Sequence, residues 1–309
     1  MAEFSAENPC RILSLDGGGA KGFYTLGVLK GIEGLVGPLH KRFDLIFGTS
    51  TGSIIAALLA LGEPVDEIHK LYKTHVINVM GRWFPWTKSK ALRELSEQVF
   101  KDRRFTDVKT HVGIVATRWV FETPMIFKTS VDQAHGDRGN FVPGFGCTVG
   151  DAVQASCSAY PFFCRKTVVT HDEQKILLAD GGFCANNPTL YAIADATEAF
   201  KVAREHIRVV SIGVGEYPVP KRYMTLAHWF GYLFTVRLLQ KVLEINTKSM
   251  NQLRQILFDE VETVRISKSY TEPKMATDLF EANLDKLDQL YQRGRESYRE
   301  YEPALKKFF

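Results

Sequence analysis

The sequence predicts an α/β fold in which helices cover both faces of a mostly parallel central sheet. Short apolar, β-branched runs alternate along the chain with segments whose apolar residues recur at helical spacing. Such alternation is typical of parallel strands joined by helices that pack on both faces, so we expect three layers, α/β/α. Hydrophobic residues make up 45% and charged residues 24% of the 309-residue chain, as in an ordinary globular protein with a sizeable core.

The first half of the chain opens with two strand–helix units. The strand RILSL at 11–15 precedes a segment at 21–36, where the apolar residues at helical spacing are Phe23, Leu26, Leu29, Ile32 and Leu35. The strand FDLIFG at 43–48 precedes a helix of small and aliphatic residues at 53–62. Both units therefore predict a strand that runs into a helix.

Further strands follow in the middle of the chain. The segments 111–120 and 123–130 have strand character, and 167–180 has the pattern of a hairpin that leads into a strand. The run HIRVVSIGVG at 206–215 predicts another buried strand. These segments extend the predicted sheet.

After Pro218 and Pro220 the pattern becomes mostly helical. We expect helices within 225–258 and 277–305, with a last strand at 261–267 between them. The sequence therefore predicts an α/β domain at 9–218 and a mainly helical C-terminal extension at 219–309 that packs on it.

Composition and charge exclude several classes of protein. The net charge of +4 comes without a block of Lys and Arg, which argues against binding to a nucleic-acid polymer. The five cysteines have no C-x-x-C spacing, which suggests reduced thiols. The N-terminus lacks the pattern of a signal peptide, and the longest apolar run, at 54–61, is far shorter than the roughly 20 residues that span a bilayer. We expect a cytoplasmic protein.

A glycine-rich loop, DGGGAKG, follows the first strand. Gly17, Gly19 and Gly22 match G-x-G-x-x-G, the pattern of a dinucleotide-binding loop. The same backbone amides suit an oxyanion hole, which stabilises a charge that forms during acyl transfer. The loop alone leaves an NAD(P)-binding oxidoreductase and a hydrolase open.

A second motif, Gly48-Thr49-Ser50-Thr51-Gly52, matches G-x-S-x-G between a strand and a helix. In that position the pattern is typical of a nucleophile elbow, a sharp turn that exposes the serine hydroxyl. The N-terminus of the following helix also stabilises negative charge near Ser50.

The serine needs a base. In the order serine, acid, histidine, the candidate histidines are His206 and His228, but neither follows a strand at a glycine-rich turn. Asp180 ends the apolar strand KILLAD and is followed by Gly181 and Gly182. A carboxylate at a strand end lies at the edge of the sheet where ligands bind, although an ordinary Asp-Gly turn would have the same sequence. We therefore favour Asp180.

The three motifs, in this order, resemble those of the patatin-like phospholipases, a family of serine acyl hydrolases that use a Ser–Asp dyad without histidine. The resemblance covers about residues 9–215 and includes AVQASCSAYPFF at 152–163 and SIGVG at 211–215. It implies a patatin-like fold, hydrolysis of membrane phospholipid esters, and no metal or other cofactor.

The resemblance also assigns roles to individual residues. It implies that Ser50 is the nucleophile, that Asp180 is the base, and that the oxyanion hole consists of the amides of Gly17, Gly18 and Gly19. Two observations favour this over a dinucleotide site: Asp16 would repel a pyrophosphate, and no clear acid follows a second strand about 20 residues on. A non-catalytic lipid-binding protein remains a third alternative.

The compact chain resembles in particular the bacterial members that act as effectors of antiphage defence and are activated by cyclic dinucleotides. This implies a cyclic dinucleotide as activator and contact with the inner membrane in the active state; the alternative is an unregulated lipid acyl hydrolase. The segment 81–90, with Trp83, Phe84 and Trp86, suits a membrane interface, although a packed loop of aromatic residues would have the same sequence. The apolar stretch 228–239 favours a buried or dimer-forming helix, so a homo-oligomer is among the expected partners.

Overall fold

The central element of the protein is a mixed β-sheet. A computed structural model describes residues 4–136, 138–220 and 233–309. Within these residues eight strands form one sheet: β1 Cys10–Leu15, β2 Leu45–Thr49, β3 His111–Arg118, β4 Thr123–Lys128, β5 Lys166–Val169, β6 Lys175–Asp180, β7 Ile207–Ile212 and β8 Glu262–Ile266. Each predicted strand coincides with one of these, and 167–180 is the β5–β6 hairpin.

The strands lie in the order β5-β6-β3-β2-β1-β7-β8, and β4 pairs with β3. The five strands from β3 to β8 in this order are parallel. The antiparallel pairs are β3–β4, β3–β6 and β5–β6, at one end of the sheet. The prediction of a mostly parallel sheet is confirmed.

Helices cover both faces of this sheet. Their bounds are α1 Gly22–Val36, α2 Thr51–Leu61, α3 Val65–Leu71, α4 Ile77–Met80, α5 Pro85–Val99, α6 Val149–Ser156, α7 Gly182–Ala185, α8 Thr189–Ala194, α9 Leu238–Leu257 and α10 Leu284–Phe308. On β1, Leu13 and Leu15 pack into a core with α1 and α2, whereas Ile12 packs on the other face with α8. Because side chains alternate between the faces of a strand, both faces are buried, and the three-layer architecture is confirmed.

The C-terminal part of the chain contributes to the sheet as well as to its cover. Strand β8 pairs with β7 in parallel, and α10 packs along α1 with Leu287, Leu290 and Leu305 buried. The division at 218/219 stays a prediction.

Of the two C-terminal helices, the last begins later than predicted. Of the helix predicted over 225–258, residues 225–232 lie outside the described residues, and so do residues 228–232 of the apolar stretch 228–239. The helix predicted from 277 begins at Leu284, where the Asn283 side chain accepts a hydrogen bond from the Lys286 amide and caps the helix. The residues before it form a loop, in which the Leu279 carbonyl accepts a hydrogen bond from the Ala20 amide at 3.0 Å. Contact with the glycine loop thus replaces the predicted first turns of this helix.

Candidate active site

Ser50 occupies a sharp turn between β2 and α2. Its backbone has φ 52° and ψ −125°, an unfavourable conformation for a residue with a side chain. The Ser50 amide donates a hydrogen bond to Ser156 Oγ at 2.9 Å, and the Ser156 hydroxyl donates to the Val115 carbonyl at 2.5 Å. These bonds hold the turn in the geometry of a nucleophile elbow.

The two glycines of G-x-S-x-G are required by close packing. A Cβ at Gly48 would lie 2.3 Å from the Gly52 carbonyl oxygen, and a Cβ at Gly52 would lie 2.3 Å from the Leu15 carbonyl oxygen. Both contacts are with backbone, which cannot move aside locally. The motif is therefore a steric requirement of the turn.

The register of the sheet brings Asp180 next to Ser50. Strand β2 ends with Thr49 opposite Val115 of β3, and β6 ends with Asp180 opposite Ala116 of β3. Because β4 pairs with the other edge of β3, β2 and β6 approach each other along the same edge. Residues that are 130 positions apart in the chain thus meet at one point.

The two side chains are hydrogen-bonded. Ser50 Oγ donates to Asp180 Oδ2 at 2.7 Å, and the Gly182 amide donates to Asp180 Oδ1 at 2.7 Å. Asp180 is 2% exposed, and burial raises its pKa from 3.8 to about 6, although the bonds from Gly182 and Ser50 act in the opposite direction. A carboxylate with this pKa is a stronger base than an exposed aspartate and is still ionised at neutral pH.

Neither candidate histidine accompanies this pair. His206 directly precedes β7, at the amino ends of the parallel strands, whereas Ser50 follows the carboxyl end of β2. His228 lies outside the described residues. Among these three candidate bases, the one that the structure places against the serine hydroxyl is Asp180.

The glycine loop forms one wall of the cleft above Ser50. Gly18 and Gly19 line the cleft, and their amides donate to no acceptor among the residues that the structure describes. The Gly17 amide differs, since it donates to the Asn186 carbonyl at 2.9 Å, and the Asn186 side chain donates back to the Gly17 carbonyl at 3.3 Å. Of the three predicted oxyanion-hole donors, Gly18 and Gly19 are free and Gly17 is engaged elsewhere.

Asp16, directly before this loop, is turned away from the cleft. Its carboxylate accepts hydrogen bonds from both terminal nitrogens of Arg265 on β8, at 2.9 and 2.5 Å. Lys21 is also buried, with its ammonium 4.0 Å from Glu244 of α9, and burial lowers its pKa. Charged groups therefore lie behind the glycine loop.

The cleft itself is apolar. It encloses about 620 Å³ of empty space, part of it open to solvent. Apart from the residues already described, its apolar lining comes from α2, α4, α5, α9 and the loops beside them: Ile54, Val76, Val79, Met80, Leu92, Leu95, Cys157, Ala159, Phe163, Leu243, Leu279 and Phe280. A hydrocarbon chain is the ligand that such a surface suits.

Within 4–136, 138–220 and 233–309, no group of three or more His, Cys, Asp and Glu side chains could hold a metal ion. In the same ranges none of the helices has the length and apolar character needed to cross a bilayer. The expectation of a metal-free, cofactor-free site stays a prediction.

Sequence reasoning missed three residues that shape the site. Ser156 holds the elbow, Asn186 holds Gly17, and Arg265 binds Asp16. Ser156 and Asn186 look like ordinary polar residues beside known motifs. The sequence did contain an indication for Arg265, because a charged residue inside the predicted strand VETVRIS needs a partner of opposite charge when it is buried.

Comparison with known proteins gives consistent matches. The family model of the patatin-like phospholipases matches residues 13–193. A cUMP-AMP-activated phospholipase of Escherichia coli is 58% identical over 309 residues, which cover 100% of this chain and 96% of that protein. A cGAMP-activated phospholipase of Escherichia coli strain TW11681 is 29% identical over 252 residues, covering 72% and 67% of the two chains. The crystal structure of VipD from Legionella pneumophila matches with a TM-score of 0.49 and 12% identity, over 94% of this chain and 66% of that chain.

Proposed function

The chain belongs to the patatin-like phospholipases, and from this premise we propose that it hydrolyses membrane phospholipid esters with Ser50 as nucleophile and Asp180 as base. The observation that carries the proposal is the 2.7 Å hydrogen bond from Ser50 Oγ to a carboxylate that is almost fully buried. Nucleophile and base must lie within this reach for proton transfer.

The reaction proceeds in two steps. Asp180 accepts the Ser50 proton while Ser50 Oγ attacks the ester carbonyl, and it then gives that proton to the leaving alcohol, which departs as a lysophospholipid. In the second step Asp180 accepts a proton from water as the water attacks the acyl-enzyme, and it returns this proton to Ser50 Oγ as the fatty acid is released. The raised pKa of Asp180 supports the role of base, because proton abstraction is more favourable for a base whose pKa lies near the working pH.

The tetrahedral intermediate of each step carries a negative oxygen. We assign its binding to the amides of Gly18 and Gly19, which line the cleft and are free to donate. Gly17 supports the loop through Asn186 instead of donating to the oxyanion. A single donor of this kind contributes about 3 kcal/mol to the stabilisation of the transition state.

The lipid character of the substrate is supported by the apolar cleft and by the surface near it. Val79 and Met80 line the cleft, and the loop that follows them, together with the first turn of α5, exposes Trp83, Phe84 and Trp86, which are 87%, 55% and 62% exposed. Exposed aromatic side chains of this kind insert at the headgroup level of a bilayer. We propose that this loop contacts the membrane, and a Trp83→Ser variant that cosediments with anionic vesicles as well as the parent would contradict it.

Regulation is the third part of the proposal. The two Escherichia coli phospholipases described above are named for activation by cUMP-AMP and by cGAMP. The chain resembles the first of them, which is 58% identical, over its whole length. We infer that a cyclic dinucleotide also activates this enzyme. The enzyme is then cytoplasmic, contacts the inner membrane when it is active, and serves in bacterial antiphage defence. The contrary outcome is an unregulated lipid acyl hydrolase.

The dyad is tested by substitution and by labelling. Ser50→Ala should abolish ester hydrolysis and labelling by a fluorophosphonate probe, because the nucleophile is absent. Asp180→Asn should lower kcat by about 10²–10⁴-fold, because the base is lost while the shape is kept. Asp102→Asn, an exposed acid, is the matched control and should retain full activity.

Near-parental turnover in Ser50→Ala or in Asp180→Asn would contradict the assignment of the dyad. A chelator should leave the activity unchanged. Loss of activity with chelator that calcium restores would contradict the metal-free mechanism. A parent chain that takes no fluorophosphonate label would favour the oxidoreductase or lipid-binding alternatives.

A further inference from the structure

The Asp16–Arg265 ion pair lies directly behind the loop to which the oxyanion hole is assigned. Asp16 is 2% exposed and connects β1 to Gly17. Arg265 Nη1 and Nη2 bind the two carboxylate oxygens at 2.9 and 2.5 Å, and Nη1 also donates to Ser211 Oγ at 2.7 Å. This bidentate geometry is the strongest form of an Arg–carboxylate contact.

An unpaired carboxylate at this position would oppose catalysis. The reaction develops a negative charge beside Gly18 and Gly19, and a second negative charge a few residues away repels it in a medium of low dielectric constant. Burial also makes an ionised carboxylate without a counter-ion unfavourable. Asp16 therefore needs a positive partner that also directs it away from the cleft.

Arg265 meets both needs. The Asp16 side chain faces a second, polar cavity on the far side of the glycine loop, and it does not line the Ser50 cleft. Besides Asp16 and Arg265, the cavity is lined by two positive and two negative side chains, whose charges cancel: Lys21, Lys248, Glu216 and Glu244. Lys248 is paired with Glu216 at 3.1 Å and Lys21 lies 4.0 Å from Glu244, so Arg265 is the counter-ion that faces Asp16.

We infer that Arg265 is a positioning residue for the hydrolysis reaction. It neutralises Asp16 and holds it behind the glycine loop, so that Gly18 and Gly19 present their amides to an oxyanion without a competing charge. The inference rests on the proposed function. It assigns a role in catalysis to β8, which lies outside the residues 13–193 matched by the family model.

The test compares variants at both ends of the ion pair, with a soluble short-chain ester as substrate. Arg265→Gln keeps hydrogen-bond donors but removes the charge, and it should lower kcat at least about tenfold with KM unchanged. Adding Asp16→Asn to Arg265→Gln makes a neutral pair and should restore kcat to within a few-fold of the parent. Arg265→Lys retains the charge and should stay closer to the parent than Arg265→Gln.

The matched control is Arg208→Gln, which removes a 3.1 Å contact with Glu262 between β7 and β8 at the other end of these strands. It should alter the melting temperature without altering kcat. A kcat for Arg265→Gln within twofold of the Arg208→Gln value would overturn the inference. So would a double variant no more active than Arg265→Gln, or an Arg265→Lys variant as impaired as Arg265→Gln. If Arg265→Gln does not fold, Arg265→Lys is compared with the parent instead, and a kcat more than about tenfold below the parent value would overturn the inference.

Failure of this inference is separable from failure of the proposed function. If Ser50→Ala abolishes labelling and hydrolysis while Arg265→Gln matches the control, only the role of Arg265 is wrong. If Ser50→Ala stays active, the proposed function is wrong, whatever the Arg265 variants do.

Discussion

At the scale of single residues, the site depends on how little water reaches one carboxylate. Asp180 accepts hydrogen bonds from the Gly182 amide and from Ser50, and both favour its ionised form. Burial works against them and prevails, so that its pKa rises to about 6. The same burial that makes Asp180 basic also keeps it from exchanging its serine partner for solvent.

This pKa predicts the acid limb of the pH–rate profile. The base acts only when it is deprotonated, so kcat/KM should fall as the pH drops through about 6 and then decrease about tenfold per pH unit. An exposed aspartate with a pKa near 3.8 would place that limb two units lower. The measurement is kcat/KM for a soluble ester between pH 4.5 and 8, with the fold monitored by circular dichroism at each pH. A limb centred near pH 4 would show that Asp180 is not desolvated in solution.

At the scale of elements, the glycine loop is held from three sides. Its first amide is bound by Asn186, the adjacent Asp16 by Arg265, and the Ala20 amide by the Leu279 carbonyl. These contacts come from the residue after α7, from β8 and from the loop before α10. A short loop that would otherwise be free to adopt many conformations is therefore fixed at both ends, which is what a preorganised oxyanion hole requires.

Substitution of Gly18 tests that arrangement. Gly18 has φ 174°, outside the left-handed region, but a Cβ there would lie 2.6–2.9 Å from three atoms of the Val214 side chain. Gly18→Val should therefore push the loop out of place and lower kcat by about a hundredfold, the loss expected for one oxyanion donor. Gly34→Ala, where a Cβ meets nothing within 4 Å, should leave the rate unchanged.

The Val214→Ala substitution tests whether contact with Val214 causes the loss of activity in the Gly18 variants. It opens space on the side where the new side chain points, so the double variant Gly18→Ala/Val214→Ala should recover activity relative to Gly18→Ala alone. If shortening Val214 has no effect on a Gly18 variant, the loss comes from crowding in the cleft and the packing argument is wrong.

At the scale of the whole molecule, the proposed hydrolysis of membrane lipid raises the question of how such an activity would be controlled. An open cleft beside exposed aromatic residues would attack the membrane of the cell that makes it, so an inactive state should prevail until a ligand favours the active one. Shifting such an equilibrium from 1:99 to 99:1 requires about 10⁴-fold tighter binding to the active state, or about 5.5 kcal/mol. Two phosphates bound by Arg or Lys side chains could supply that difference.

We therefore expect weak phospholipid hydrolysis by the purified enzyme alone and strong stimulation by a cyclic dinucleotide. The measurement is fatty-acid release from vesicles across a panel of cyclic di- and trinucleotides, with Ser50→Ala as the blank. Full activity without nucleotide, or no stimulation across the panel, would leave an unregulated lipid acyl hydrolase.

Local patterns in the sequence were enough to predict the fold class, the strands and the candidate dyad. Apolar runs and periodicities are local, and Gly48, Ser50 and Gly52 form a turn whose steric demands lie within five residues. The start of the last helix could not be predicted from local patterns, because the hydrogen bond between the Leu279 carbonyl and the Ala20 amide competes with helix formation over 277–283.

Which groups meet in the site follows from the tertiary structure. The register of β2 and β6 on β3 places Ser50 against Asp180, and the pairing of β8 with β7 brings Arg265 to Asp16 across 249 positions. It also decided that the Gly17 amide is engaged while Gly18 and Gly19 are free. Such contacts depend on strand order and burial, which arise from packing over the whole chain, so no local pattern in the sequence specifies them.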